Sequence, residues 1–231
     1  MSPHITVACL DMAGTTVADD GSVLRAFEAA MARAGIVPGG PGFSAAGEIV
    51  RATMGQSKIE VFRRILASED QAQQANAAFE DAYAQSVREG LVGPLPGATE
   101  TIAALRAAGI KVCLATGFAP ATRDALLDTL GWRPLIDLTL SPADAGRGRP
   151  WPDIPLTALL RLGGGAVSEL LVAGDTPSDV ESGLRAGAGL VVGVTTGASS
   201  QEDLLAVGAP HVLDSVTGLT QLLGIGAPSI R

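Results

Sequence analysis

Cysteine is scarce in this chain, with two in 231 residues. Cys9 and Cys113 both fall inside apolar runs. That predicts buried thiols in adjacent strands rather than a disulfide framework, and a reducing, cytoplasmic compartment. Aromatic residues make up only 3% of the chain, whereas alanine and glycine are abundant, so helices can pack closely. Basic residues are outnumbered, 16 to 24, for a formal net charge of -8. This balance argues against nonspecific binding to nucleic acid or to an anionic membrane, although a local cationic pocket remains compatible with it. No apolar run is long enough to span a bilayer. No signal-peptide pattern is expected either, because Met1-Ser2-Pro3-His4 leads straight into the first apolar run. What is present is a 47% hydrophobic composition, enough for a real core in one large domain or one domain plus a smaller insertion.

Short apolar runs alternate with helical stretches, which predicts an α/β fold with a parallel sheet covered by helices. Strands are expected at 5–10, 111–116, 136–140, 170–173, 190–194 and 211–213. Between the first two no strand is expected. Residues 16–93 read as all-helical, with helices at 22–34, 44–52, 58–67 and 69–89. Such a segment is too long for an ordinary βα connection. It reads as a helical cap at 17–93 inserted into a core of 1–16 and 94–231, with hinges at 16–21 and 90–97. The stretch 38–42 reads as a flexible loop within it, and 224–231 as a frayed tail.

Four polar clusters follow one another in strand order. Asp11-Met12-Ala13-Gly14-Thr15-Thr16 ends the first strand, and Thr116-Gly117 the second. Arg149-Pro150 lies in the loop 145–152, and Gly174-Asp175-Thr176-Pro177-Ser178-Asp179 follows the strand at 170–173. In a parallel sheet all strand C-termini open on one edge, so these groups can converge on one crevice. Asp11 and Asp175, with the backbone carbonyl of Ala13, would suit Mg²⁺, a hard cation that usually takes one or two carboxylates. Thr116 offers a hydroxyl and a backbone N–H to a phosphoryl oxygen, and Arg149 a multidentate cation. Phosphoryl transfer needs mostly positioning and charge neutralisation, and this set supplies both. Each member alone has a bland reading: Asp11 as a turn cap, Asp179 as a helix-end charge, Arg149 as a surface cation. The ordered combination is far more specific.

That order resembles the haloacid dehalogenase superfamily over nearly the whole chain. The resemblance implies a Rossmann-like core, a nucleophilic aspartate at Asp11, phosphoryl binding by Thr116, Gly117 and Arg149, and an acidic fourth motif at Asp175 and Asp179. Two departures narrow it. Most phosphatases of the superfamily carry an aspartate two residues after the nucleophile, where this chain has Ala13, and the third-motif residue is usually lysine rather than Arg149. Asp-x-Ala-Gly-Thr and Gly-Arg-Pro are similar to the phosphonoacetaldehyde hydrolases (phosphonatases). So is Met54-Gly55-Gln56-Ser57-Lys58 in the helical segment, which in that family carries a Schiff-base lysine. The resemblance implies supporting roles for Thr15, Met54, Gly55 and Asp179.

Lys58 also has a case of its own. It is the only amine in the helical segment, and lysine, unlike arginine, can lose its proton and form an imine. Set against this is an ordinary solvated lysine at a helix start. Cleaving a C–P bond needs an electron sink, which a protonated imine β to phosphorus provides. With carbon as the leaving group, no acid at position 13 is required. To attack a carbonyl, Lys58 needs a lowered pKa, which burial would give. Some features of the family are missing. Val61 stands where a histidine is common, Phe118 where the relative has tyrosine, and Ser22 near a position that can be cysteine. His4 and His211 lie outside the helical segment, so Glu60, Gln56, water or the substrate is left to move protons. The expected function is C–P cleavage of phosphonoacetaldehyde or a related 2-oxoalkylphosphonate. The alternatives are a phosphomonoesterase on a small metabolite and a non-catalytic phosphate-binding protein. A homodimer through the apolar positions Phe27, Met31, Phe62, Ile65 and Leu66 is an option, with core packing favoured at their helical spacing.

Overall fold

The computed structural model describes residues 4–18 and 20–225, so Met1–Pro3 and most of the expected tail at 224–231 lie outside the described residues. The first strand, β1 (Val7–Asp11), is buried at every position. A strand covered on both faces needs a continuous apolar run rather than an alternating one, and Val-Ala-Cys-Leu is such a run. β2 (Val17–Ala18) follows at once. Then come α1 (Ser22–Arg33), α2 (Phe43–Ala52), α3 (Lys58–Ile65), α4 (Glu69–Arg88) and β3 (Gly93–Pro94).

The rest of the chain alternates. It runs α5 (Ala98–Ala107), β4 (Lys111–Ala115), α6 (Pro120–Leu130), β5 (Leu138–Leu140), α7 (Pro142–Ala145), α8 (Asp153–Arg161) and β6 (Leu170–Gly174). It ends with α9 (Pro177–Ala186), β7 (Leu190–Val194), α10 (Gln201–Ala206), β8 (His211–Leu213) and α11 (Gly218–Leu222). Six strands form one sheet in the order β5-β4-β1-β6-β7-β8, and every pairing in it is parallel.

β1 sits in the middle of this sheet, flanked by β4 on one side and β6 on the other. Later strands therefore build outward in both directions from it, and the crevice at its C-terminal end is a switch point where open α/β sheets bind ligands. The register puts Asp11 opposite Ala115 and Leu10 opposite Ala173. Thr116 and Asp175 thus leave the sheet at nearly the level of Asp11. Cys9 and Cys113 are register partners, both buried and both free thiols, as expected.

One expectation needs correction. Residues 16–93 are not wholly helical, because β2 and β3 pair antiparallel, Val17 with Pro94 and Ala18 with Gly93. The two connections into and out of the helical segment lie side by side, so their backbone groups satisfy one another. This gives the two connections a ladder that neither stretch could form alone.

The few aromatics are concentrated. Four of the five phenylalanines and the single tyrosine form one cluster of Phe27, Phe62, Phe79, Tyr83 and Phe118. Ring centroids lie 4.7 Å apart for Phe27–Phe79 and 4.3 Å for Tyr83–Phe118. Such pairs contribute about 0.5–1.5 kcal/mol each beyond their buried area. Four rings come from α1, α3 and α4, and the fifth, Phe118, from the loop after β4. The cluster thus ties the helical segment to the sheet's C-terminal edge. Phe27, Met31 and Phe62 are buried within the chain itself, with Ile65 and Leu66 packed against the same core. Among the described residues no helix is long and apolar enough to cross a membrane.

Candidate active site

The loops leaving β1, β4, β6 and β7 meet over the sheet edge. Asp11, Thr116, Asp175 and Gly197 wall a cavity of about 400 Å³, together with Arg149 from the α7–α8 connection and Lys58 from the helical segment. Arg149 crosses beneath it. Its Nη1 lies 2.6 Å from Asp11 Oδ1 and 2.5 Å from Asp179 Oδ1. Arg149 Nη2 is buried without a hydrogen-bond partner. A buried donor left unpaired is costly, and this one belongs to a side chain in the cavity wall, where an anionic ligand would satisfy it.

Asp175 is held from both sides. Its Oδ1 accepts from the Thr15 hydroxyl at 3.0 Å and its Oδ2 from the Ala198 amide at 2.7 Å. Gly197 is required beside it, because a Cβ there would collide with the carboxylate. Asp179 has two duties. It completes a capping box with Thr176 at the start of α9, the bland reading of that residue, and it also faces Arg149.

Carboxylate oxygens of Asp11, Asp175 and Asp179 all lie within 4.8 Å of one another and all three residues are buried. One guanidinium does not balance them. Burial, followed by the charges of Asp11 and Asp179, pushes the Asp175 carboxyl up to about 8. Burial also pushes Asp179 up to about 6, against the pull of Arg149. An oxygen-rich, over-negative cluster of this kind fits a hard divalent cation. The sign of the pH effect follows. Both groups hold protons more tightly folded than unfolded, so without a cation their contribution to stability is present below about pH 4 and is lost as pH rises through about 6 and then about 8. Melting temperature measured in EDTA is expected to fall over that range, less steeply in D175N and less steeply with millimolar Mg²⁺. A slope unchanged by both would disprove the reading.

Thr116 corrects a sequence expectation. Its backbone N–H donates to the Leu140 carbonyl at 3.0 Å, so that group belongs to the sheet edge and is not free for a phosphoryl oxygen. Its hydroxyl oxygen accepts from the Phe118 amide at 3.2 Å, leaving the hydroxyl proton to donate. Ala13 lines the cavity with no acid to offer, and the Thr196 hydroxyl bonds the next carbonyl, Gly14 O, at 2.7 Å.

Lys58 opens α3 and is 5% exposed. Its ammonium sits among three rings, 5.4 Å from the centroids of Phe27 and Phe118 and 5.7 Å from that of Phe79. The ammonium donates a long hydrogen bond, 3.4 Å, to Gln56 O. Ring faces and the Asp11 charge favour the ammonium, the rings by roughly 0.5–2 kcal/mol each. Burial and the Arg149 charge oppose it, and burial wins, pushing the amine down to about 8. Met54 and Gly55 reach the same cavity. The turn that carries them is pressed against the core. A Cβ on Gly55 would strike the Thr176 hydroxyl, and one on Gly117 would lie 2.5 Å from Gln56 O. Only glycine allows this approach, and Gly55 also needs its φ of +82°.

Each expected site residue therefore reaches the crevice or supports one that does. Several contributors were not expected: Thr196, Gly197 and Ala198 after β7, the aromatic box around Lys58, and the apolar wall of Val23, Leu24 and Leu95. The first group had a legible signal, since the loop after the strand at 190–194 must open on the same edge. The box had none, because its rings come from three separate segments.

A family model described as haloacid dehalogenase-like hydrolase matches residues 5–187. The chain belongs to this family. As a haloacid dehalogenase-like hydrolase it is similar to a phosphonoacetaldehyde hydrolase of Hahella chejuensis, with 36% identity over 149 residues, which cover 62% of this chain and 49% of that protein. The matched part thus spans about half the length of that relative. A protein of Dickeya dadantii named "Probable phosphatase IndB" is 31% identical over 173 residues, covering 72% of this chain and 73% of its own. Among solved structures, a phosphonoacetaldehyde hydrolase-like protein from Oleispira antarctica superposes with a TM-score of 0.78 at 25% identity, covering 98% of this chain and 97% of that one. The relatives of this haloacid dehalogenase-like hydrolase thus carry two kinds of functional name.

Proposed function

We propose that this hydrolase cleaves the C–P bond of phosphonoacetaldehyde or a related 2-oxoalkylphosphonate. The observation that carries the reading is a buried, partly neutral amine, Lys58, in the wall of the same cavity as the Asp11 carboxylate, with alanine at position 13. The helical segment acts as a cap that desolvates the amine and shields the imine. Lys58 adds to the substrate carbonyl and forms a protonated imine. Asp11 attacks phosphorus, the C–P bonding pair moves into the imine to give an enamine, and the phosphoryl group is left on the Asp11 carboxylate. Water then releases phosphate from Asp11, and protonation and hydrolysis free the aldehyde or ketone from Lys58.

Thr116 and Arg149 hold the phosphoryl oxygens. Asp11, the Ala13 carbonyl and Asp175 would hold Mg²⁺, which supplies charge neutralisation when bound. Asp175 is itself steadied by Thr15. Met54, Val23 and Leu24 form an apolar side of the cavity, a wall that suits a carbon substituent beyond the carbonyl.

A phosphomonoesterase reading is favoured by the phosphatase name of the Dickeya relative, but it lacks an acid for the leaving oxygen. The test is phosphate release with Mg²⁺ from phosphonoacetaldehyde against simple phosphate esters, with borohydride trapping of the adduct. Release from the phosphonate alone, with a trapped mass on Lys58, is expected. The trapping rate should climb about tenfold per pH unit on the acid side of its profile, as the neutral amine becomes available. Ester hydrolysis without trapping would favour the phosphatase.

A further inference from the structure

We propose that Glu80 on α4 relays the protons of imine formation to Lys58 through a second cavity on the far side of the amine; this rests on the imine reading above. Lys58 lines two cavities. One is the site over Asp11, and the other, about 600 Å³, is walled by Glu60, Asn76, Glu80 and Arg147 among others. Lys58, Gly117, Phe118 and Arg149 are common to both walls. Substrate can therefore approach the amine from the phosphoryl side while water reaches it from the other.

The chemistry demands such a route. Addition of the amine forms the N–C bond and leaves negative charge on the former carbonyl oxygen. That oxygen departs as water only after gaining two protons. The nitrogen sheds one of them, and the other must come from an acid. The C–O bond then breaks as the C=N⁺H bond forms, and the acid is left as a carboxylate opposite the new cation. Asp11 is paired with Arg149, and Asp175 accepts from Thr15 and Ala198, both on the phosphoryl side.

Glu80 fits the role. Its Oε1 accepts from the Ala119 amide at 3.0 Å. Its Oε2 is buried with no well-formed hydrogen bond, near the Thr122 side chain. Burial pushes its carboxyl above the usual range, so it holds a proton closer to neutrality than a surface glutamate. Lys58 from α3 opposes that shift, and Asp81 on its own helix adds to it. The other charged groups on this cavity are Glu60, Arg63, Arg64, Arg147 and Arg149. Glu60, a candidate for proton transfer in the sequence, is instead paired with Arg63 on the exposed face of α3.

The experiment measures borohydride-trapped adduct formation with phosphonoacetaldehyde across pH 5–9 for the wild type, E80Q, E80D and E80A. E80Q is expected to trap roughly 100-fold more slowly, on the scale of a lost general acid, and to lose the falling limb at high pH that marks a protonated carboxyl. E80D should recover part of the rate. Formate added to E80A should raise its rate, which a merely structural role would not allow. E80Q trapping at the wild-type rate with the wild-type profile overturns the proposal, as does a slow E80A that formate leaves unchanged. A wild type that traps nothing would instead sink the imine reading on which it stands.

Discussion

K58R is expected to lower phosphonate turnover on the order of 10⁴-fold or more, the scale on which losing a covalent nucleophile is felt. The reasoning separates charge from chemistry. Arginine keeps the positive charge among Phe27, Phe79 and Phe118 and stacks well on ring faces. It cannot shed its proton, so it cannot become an imine. If Lys58 served only as a buried cation binding the phosphonate, K58R would retain much of the activity and the main loss would be in KM. The imine reading predicts the reverse, a collapse of kcat with ligand binding retained and no borohydride adduct. Inorganic phosphate binding by calorimetry supplies the control, because Thr116 and Arg149 are untouched. Turnover within tenfold of the wild type would end the C–P proposal.

R149M is expected to destabilise the fold by about 3–5 kcal/mol when divalent cations are absent, the usual cost of orphaning a buried charge. Arg149 is in contact with Asp11 and Asp179 through a single nitrogen, and Asp175 lies in the same cluster. Without it three buried carboxylates face one another with only the partly neutral Lys58 amine as countercharge. The chain's responses are to take up protons or to open. The loss should therefore be largest at alkaline pH, shrink as pH falls, and be partly reversed by Mg²⁺. R149K should recover most of the stability, since the charge returns, but less of the activity, because a lysine cannot present a planar fork to a phosphoryl group. Urea titrations at pH 5 and pH 8, with EDTA and with Mg²⁺, check each arm. A loss below about 1 kcal/mol at pH 8 in EDTA would show that the carboxylates are not held as charged groups.

Much of the sheet could be read from the chain because its strands are buried on both faces, and such strands must be written as unbroken apolar runs. Val7–Asp11, Leu170–Gly174 and Leu190–Val194 are each buried throughout. Their C-terminal polar residues were legible for the same reason, since a parallel sheet brings every strand end to one edge. β2 and β3 were not legible. Two residues carry no periodicity, and their pairing joins positions more than seventy residues apart. Thr116 was half legible, its residue type suiting a phosphoryl group while its N–H was claimed by Leu140.

The identity of the chemical groups was a matter of sequence alone: alanine at 13, arginine at 149, and one amine in the helical segment. Their electrostatic state was not. Whether Lys58 is an ordinary surface ammonium or a desolvated amine depends on rings from α1, α4 and the loop after β4 meeting around it. Whether Asp11 repels Asp175 and Asp179 depends on how closely the end of β1 and the segment after β6 pack. Distances and solvent exclusion are properties of the assembled chain, because no local stretch of sequence contains both partners.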